Sequence, residues 1–313
     1  MGMDRVLVTG GAGFIGSHIV DALVDRGFDV SVVDDLSTGV RLNVNPAAKL
    51  HIIDISATSL SRVMDEVRPD VVFHEAAQMN VRRSVADPAF DARVNILGAI
   101  NLLENCIRVN TKKVIYASSG GCIYGDQAII PNSEEVTAVP ESPYGISKYT
   151  VEYYLQYYKK VYNLEFVSLR YANVYGPRQN PLGEAGVIAI FMSKLLNGET
   201  PTINGSGRQT RDYVYVKDVV AANMAALKTN VSGAYNVGTS VETNVNELYN
   251  AVQKSLNTSI EAVYGPAKPG EQMRSALNID KAKRELGWTP QYTLEEGLRE
   301  SAAWFRSEYG RQR

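Results

Sequence analysis

Tyr144 and Lys148 stand four residues apart in Tyr144-Gly145-Ile146-Ser147-Lys148. On a helix this spacing puts both side chains on one face. A free tyrosine titrates near pH ~10 and is a poor base at neutral pH, but a neighbouring ammonium favours its phenolate, which can take a proton from an alcohol. With 18 tyrosines in the chain, the spacing carries little by itself. Its weight comes from upstream, where the apolar run 113–117 (KVIYA) leads into Ser118-Ser119-Gly120-Gly121 and then Cys122-Ile123-Tyr124-Gly125. In a parallel α/β sheet, ligands collect at the carboxyl ends of strands, so a hydroxyl at Ser119 stands where a reacting oxygen would be. The competing reading, a turn serine bonded to its own backbone, weakens once base and cation are in reach of the same strand end.

A second constellation opens the chain. The run 5–9 (RVLVT) passes directly into Gly10-Gly11-Ala12-Gly13-Phe14-Ile15-Gly16, a G-x-x-G-x-x-G variant of the dinucleotide fingerprint. One glycine serves the turn, one the close approach to a pyrophosphate, and one the packing of helix on strand; the helix N-terminus adds donors and partial positive charge. Asp34 and Asp35 follow the next strand. A carboxylate there can hold adenosine ribose hydroxyls and repels a 2′-phosphate, so NAD is expected over NADP. Asp54, after the third strand, is either an adenine contact or a strand-end cap.

The elements that would carry these residues alternate. Apolar runs at 5–9, 29–33, 49–53, 71–74 and 113–117 are separated by helical patterns at 17–26, 60–66 and 95–108. Strands without polar alternation, linked by helices, specify an α/β fold: a Rossmann-type, doubly wound parallel sheet covered on both faces. Beyond residue 169 the pattern loosens. Residues 173–186 read as a long functional loop, 213–216 and 234–237 as further strands, and a helix closes the chain from 294. The expected division is a cofactor domain of residues 1–172 plus roughly 213–250, with a smaller C-terminal substrate-binding lobe of 173–212 and 251–313.

Composition removes whole classes. A net charge of −2 gives no general pull toward nucleic acid or anionic membrane, so any anionic ligand must be held by local basic residues and helix ends. No run of about 18 apolar residues supports a membrane span. Two cysteines, Cys106 and Cys122, make neither a disulfide framework nor a metal set, which fits a cytoplasmic protein. His18, His51 and His74 show no ligand spacing, and no metal is expected.

Residues 9–16, Asp34 to Ser37, His74 to Gln78, Asn95, 118–125, 143–148, 170–176, 209–213 and 281–290 together resemble the extended short-chain dehydrogenase/reductase family, and within it the UDP-glucose 4-epimerases, over nearly the whole chain. The resemblance implies an isomerase that retains NAD. Tyr144 would remove the proton from the sugar 4-hydroxyl, Ser119 would bond O4, and Lys148 would bind the nicotinamide ribose and tune Tyr144. Hydride would pass to NAD, and the 4-keto sugar would turn over and take it back on its other face. By the same resemblance the cofactor would lie against Gly10, Gly13, Phe14, Ile15 and Gly16, then Asp34, Asp35, Ser37, Thr38 and Gly39. Asp54 and Ile55, Ala76, Ala77 and Gln78, Asn95, Ser118, Tyr171 and Ala172 would complete its site with Tyr144 and Lys148. The UDP-sugar would meet Ser119, Tyr144, Asn173, Val187, Ile188, Asn204, Arg211, Lys268, Glu271 and Ser275. Helices 95–108 and 149–162 would form a homodimer bundle.

Two departures from the family stand out. Gly120-Gly121 adds one residue to the usual serine-alanine-x-valine-tyrosine-glycine, so counting from the strand selects Ser119 while counting back from Tyr124 selects Gly120. Lys268 stands where the family has a diphosphate-binding arginine, without the bidentate fork, leaving Arg211 as the other clamp and Arg274 as a compensating candidate. The small Ser275 implies that N-acetylhexosamine forms of the substrate are admitted. Alternatives share the fold: a nucleotide-sugar 4,6-dehydratase, disfavoured because Gly120-Gly121 replaces its acids; a UDP-glucuronate epimerase or decarboxylase; and a non-catalytic NAD-binding protein.

Overall fold

The computed structural model describes residues 4–127, 129–181, 186–268 and 272–311. Six runs rich in β-branched residues form the strands β1 (Arg5–Thr9), β2 (Asp29–Asp34), β3 (Lys49–Ile52), β4 (Val71–His74), β5 (Lys113–Ser119) and β6 (Glu165–Tyr171). With the strand Gly233–Val237 they make a seven-stranded sheet in the order Gly233–Val237, β6, β5, β4, β1, β2, β3, all parallel. Parallel strands linked by helices are covered on both faces, and β4, β5 and β6 are buried almost from end to end.

Two apolar layers flank the sheet. One packs Val8, Phe73, Ile115 and Val167 under the helix Phe14–Val24 and the helix Val216–Lys228; the other packs Leu7, Val72, Val114 and Tyr116 under the helices Leu60–Val67, Gly98–Arg108 and Pro143–Tyr162. The chain winds outward from β1 through β2 to β3 and, on the other side, from β4 through β5 to β6. The order therefore reverses between β1 and β4, and a crevice opens above their carboxyl ends. Thr9 and His74 are register partners there, with Thr9 Oγ1 2.8 Å from His74 Nδ1. Burial pushes the imidazole down to about 3, so it is neutral.

A third core forms the second lobe from Tyr175, the helix Val187–Leu196, the helix Val245–Leu256 and Leu298, Ala302 and Phe305 of the C-terminal helix. Within the stretch expected as loop, Asn173–Tyr175 pairs in parallel with Tyr213–Tyr215. Tyr213–Tyr215 lies within the strand expected at 213–216, whereas the three residues of Asn173–Tyr175 are too few to show a pattern. The first helix begins at Phe14, three residues before its apolar periodicity becomes visible, because Gly13 in extended conformation serves as its N-cap. The helix expected over 95–108 is regular only from Gly98, after a π-helical turn at Arg93–Leu97 that carries Asn95.

Candidate active site

The glycine turn is shaped by contact. Gly10 has φ +69°, a left-handed conformation that costs a side-chain-bearing residue energy, and a Cβ there would lie 2.6 Å from Ala76 N at the exit of β4. A Cβ on Gly16 would overlap the Gly10 carbonyl oxygen, so this glycine lets the helix close onto the turn. Gly13, by contrast, has only the Gly10 oxygen near its Cβ position, and its face is open. The helix it starts has no capping side chain and no acid in its first turn. Its amides at Phe14, Ile15 and Gly16 thus form a cradle for an anion.

Asp34 is buried and accepts hydrogen bonds from Ala12 N on Oδ2 and Leu36 N on Oδ1, both 2.9 Å. Burial raises its pKa, partly opposed by these two bonds. A Cβ on Gly39 would approach Asp34 Oδ1 to 2.6 Å, which couples the Ser37-Thr38-Gly39 turn to the carboxylate. Asp35 is exposed and accepts from Ser37 N and Oγ. Asp54 uses Oδ1 as a turn cap for Ser56, so the strand-end cap is present, while Ile55 beside it is buried. Ala76 and Ala77 leave β4 half-buried above the glycine turn. Asn95 does not present a free amide: it accepts from Gln78 N at 2.8 Å and donates to Gln78 O at 2.9 Å, clipping the β4 exit in place.

At the end of β5 the two serines diverge. Ser118 donates 2.7 Å to Glu152 Oε1 beneath the site, inside a buried cluster where Arg170 grips Glu152 through Nε and Nη2 at 3.0 and 2.6 Å. Ser119 lies near Tyr144 and the Cys122 thiol, and its hydroxyl pulls the pKa of both down against the raising effect of burial. A Cβ on Gly120 would instead overlap Leu277 Cδ1 and stand 3.1 Å from Arg170 O, so a side chain there would be aimed into the core. Position 120, the other count, therefore has no room for a side chain that faces Tyr144. A Cβ on Gly121 would lie 3.6 Å from Asn173 Oδ1.

The helix Pro143–Tyr162 begins at the crevice with proline at its first position and Ser142 as N-cap, accepting from Gly145 N. Tyr144 N, a second orphan donor, reaches Ser84 Oγ at 3.2 Å. Gly145 permits the approach, because a Cβ there would overlap the Cys122 carbonyl. Lys148 Nζ donates to Ala117 O at 2.8 Å and lies 5.9 Å from the Tyr144 ring centroid. Burial lowers its pKa to about 8 against the raising effect of Glu75 and Asp91. Burial first, then Cys122 and Asp91, hold the Tyr144 phenol above its usual range, while the Ser119 hydrogen bond pulls it down. Glu75, pushed up to about 7 by burial, accepts from Tyr171 OH at 3.1 Å.

The other residues expected to meet the nucleotide sugar belong to separate elements. Ile188 is buried in the lobe core at the start of its helix, next to Val187. Asn204 ends the strand Thr202–Asn204, and Arg211 in the pair Thr210–Arg211 donates to Thr210 O at 2.7 Å. Ser275 is 3% exposed, while Lys268 is exposed. Arg274 is engaged by Glu242 through Nε and Nη2 at 2.9 and 2.5 Å, so its fork is turned away from any compensating role in this arrangement. Glu271 lies outside the described residues. Four groups that spacing did not single out complete the site: Ser84, Asp91, Cys122 and Ser147. Asp91 and Asn95 sit four apart, the one pattern that could have marked them. Among the described residues no His/Cys/Asp/Glu group could hold a metal, and no helix is long and apolar enough to cross a membrane.

The described NAD dependent epimerase/dehydratase family matches residues 6–238. The UDP-glucose 4-epimerase of Thermotoga maritima, solved with UDP-glucose, is 46% identical with a TM-score of 0.96, covering 97% of this chain and 99% of that one. The UDP-glucose 4-epimerase of Thermus thermophilus, solved with NAD, is 44% identical with a TM-score of 0.92, covering 96% and 99%. The UDP-N-acetylglucosamine 4-epimerase of Methanobrevibacter ruminantium, solved with UDP-N-acetylmuramic acid, is 37% identical with a TM-score of 0.93, covering 98% and 100%.

Proposed function

Because the chain belongs to the NAD-dependent epimerase/dehydratase family, we propose that it is an NAD-dependent isomerase that inverts C4 of a UDP-hexose, with Tyr144, Ser119 and Lys148 as its catalytic residues. The observation that carries this reading is the convergence of three groups at one strand end: Lys148 Nζ on the carbonyl of Ala117, two residues before Ser119 in β5, with the Tyr144 ring 5.9 Å from Nζ and the Ser119 hydroxyl near enough to lower the Tyr144 pKa.

The residues present fit the cofactor. An uncapped helix N-terminus above the open face of Gly13 suits a pyrophosphate, and Asp34, fixed by Ala12 and Leu36, suits ribose hydroxyls and disfavours a 2′-phosphate. Bound there, NAD would supply the hydride chemistry at the sugar carbon. Tyr144 takes the proton of the sugar 4-hydroxyl and later gives it back. Ser119 donates to O4 and holds the growing negative charge there. Lys148 keeps a positive charge near the phenol and favours its ionised form. Arg211 and Lys268 hold the diphosphate, and the buried, small Ser275 leaves room for an N-acetyl group as well as for a hydroxyl, so both plain and N-acetyl UDP-hexoses are substrates. The sheet-bearing part binds the cofactor and the lobe binds the nucleotide sugar.

The working unit is a homodimer. Tyr153, Tyr157, Val161 and Tyr162 on the helix Pro143–Tyr162 and Leu97 beside it are large, exposed and apolar, which suits a second copy covering them. Two free thiols, Cys106 and Cys122, suit a cytoplasmic setting. The test is a panel of UDP-sugars incubated with purified protein without added NAD, resolved by chromatography. C4 epimers of UDP-glucose and UDP-N-acetylglucosamine are expected. Wild-type turnover by Tyr144→Phe would overturn the assignment, and turnover of UDP-galactose alone would overturn the role of Ser275.

A further inference from the structure

Asp91 is fully buried in the short helix Pro88–Ala92, and both of its carboxylate oxygens are engaged. Oδ1 accepts from Asn95 Nδ2 and Gln78 Nε2, each at 3.0 Å, and Oδ2 accepts from Ser147 Oγ at 2.6 Å. Asn95 belongs to the π-helical turn Arg93–Leu97, an irregularity of the kind found at functional sites, and it grips the backbone of Gln78 at the β4 exit. Ser147 lies between Tyr144 and Lys148 in sequence. One carboxylate therefore joins the turn that leaves β4, the entry to the helix Gly98–Arg108, and the helix that carries both catalytic side chains.

A buried carboxylate is costly unless its oxygens are satisfied, and three hydrogen bonds satisfy this one. A neutral asparagine could make the same joint. The carboxylate adds a fixed negative charge that acts on both Tyr144 and Lys148. We infer that Asp91 is a positioning residue for the reaction: through Ser147 it sets the rotation of the Tyr144–Lys148 helix, and its charge sets the pH range in which the pair works. This rests on the reading of Tyr144 and Lys148 as the catalytic pair.

The groups that face the pair come from four elements. Lys148 and Tyr144 share their helix; Tyr116, Ser119 and Cys122 face them from β5 and the turn after it, with Lys148 Nζ 5.0 Å from the Tyr116 ring; His74 and Glu75 face them from β4 and its exit, and Asp91 from Pro88–Ala92. Asp91 disfavours the phenolate and favours the ammonium. Removing its charge lets both groups lose their protons at lower pH.

Two substitutions separate the roles. In Asp91→Asn the amide oxygen can accept from Asn95 and Gln78 while the amide nitrogen donates to Ser147 Oγ, so the joint is kept and the charge is lost. In Ser147→Ala the joint is lost and the charge kept. Each holoenzyme is assayed for kcat and KM across pH, with bound NAD quantified after denaturation and Tyr144→Phe as the reference. Asp91→Asn is expected to retain NAD and to move both limbs of the kcat profile down by about one pH unit. Ser147→Ala is expected to leave the limbs in place and lower kcat about tenfold with little change in KM. Unmoved limbs in Asp91→Asn, or activity that falls only in proportion to lost NAD, would overturn the inference while Tyr144→Phe stays inactive. A fully active Tyr144→Phe would instead remove the reading beneath it.

Discussion

Lys148 reaches back from its helix to donate a 2.8 Å hydrogen bond to the carbonyl of Ala117, the residue that precedes the two serines at the end of β5. The bond ties the helix that carries Tyr144 to the strand that delivers Ser119, so cation, phenol and hydroxyl are set by one junction between a strand and a helix. It also leaves the ammonium in a buried place where its charge is not free of cost.

The first prediction concerns that charge. Burial lowers the Lys148 pKa to about 8, so in the cofactor-free protein the ammonium is complete below that pH and is lost as pH rises through it. NAD affinity measured by titration calorimetry is expected to fall as pH passes about 8. In Lys148→Met this alkaline fall should be absent and affinity weaker throughout.

Ser119 and Gly120 make opposite predictions. Ser119→Ala removes the donor to O4 and is expected to lower kcat by about 100- to 1000-fold. Gly120→Ser introduced into Ser119→Ala should not restore activity, because its Cβ overlaps Leu277, and should lower the melting temperature. Rescue by the second serine, read by steady-state kinetics, would move the catalytic hydroxyl to position 120.

Beneath Ser119, Arg170 and Glu152 form a buried pair that also takes the hydroxyls of Ser118, Ser168 and Tyr124. Arg170→Met leaves an uncompensated buried carboxylate and is expected to cost about 3–5 kcal/mol in stability. Adding Glu152→Gln removes that charge and should recover part of the loss in thermal unfolding. A double variant less stable than Arg170→Met would count against the pair as the cause.

Asp34 is the proposed partner of the cofactor's adenosine ribose. In Asp34→Asn an amide donor must face one of two backbone donors, Ala12 N or Leu36 N, so the turn loosens. NAD affinity is expected to fall by about 1–3 kcal/mol, and NADP, which meets the carboxylate in the native protein, should gain relative to NAD. Equilibrium binding of both cofactors to both proteins reads the change.

Much of this was legible in the sequence because it is local. Apolar runs without alternation marked β1 to β5, and the glycine spacing, Asp34, Ser119 and the Tyr144–Lys148 step are each defined within a few residues. What was hidden depends on distant segments meeting. Asn95 enters as a cofactor contact on the resemblance alone, yet its amide is bonded to Gln78 and Asp91, and Asp91 gains its meaning only from Ser147, 56 residues away. Arg274 could be named as a phosphate candidate, but its pairing with Glu242 depends on a loop far off in sequence. Tyr213–Tyr215 falls within the strand expected at 213–216, but its partner Asn173–Tyr175 lies in the stretch expected as loop, because three residues in polar surroundings show no readable pattern.

The central claim, inversion at C4 by a hydride that leaves and returns to the same carbon, is tested most directly with UDP-galactose bearing deuterium at C4. Purified protein without added NAD should convert it to UDP-glucose with the deuterium still on C4, as read by mass spectrometry and proton NMR. Loss of the label to solvent, or a product lacking water or carbon dioxide in place of the epimer, would contradict the account.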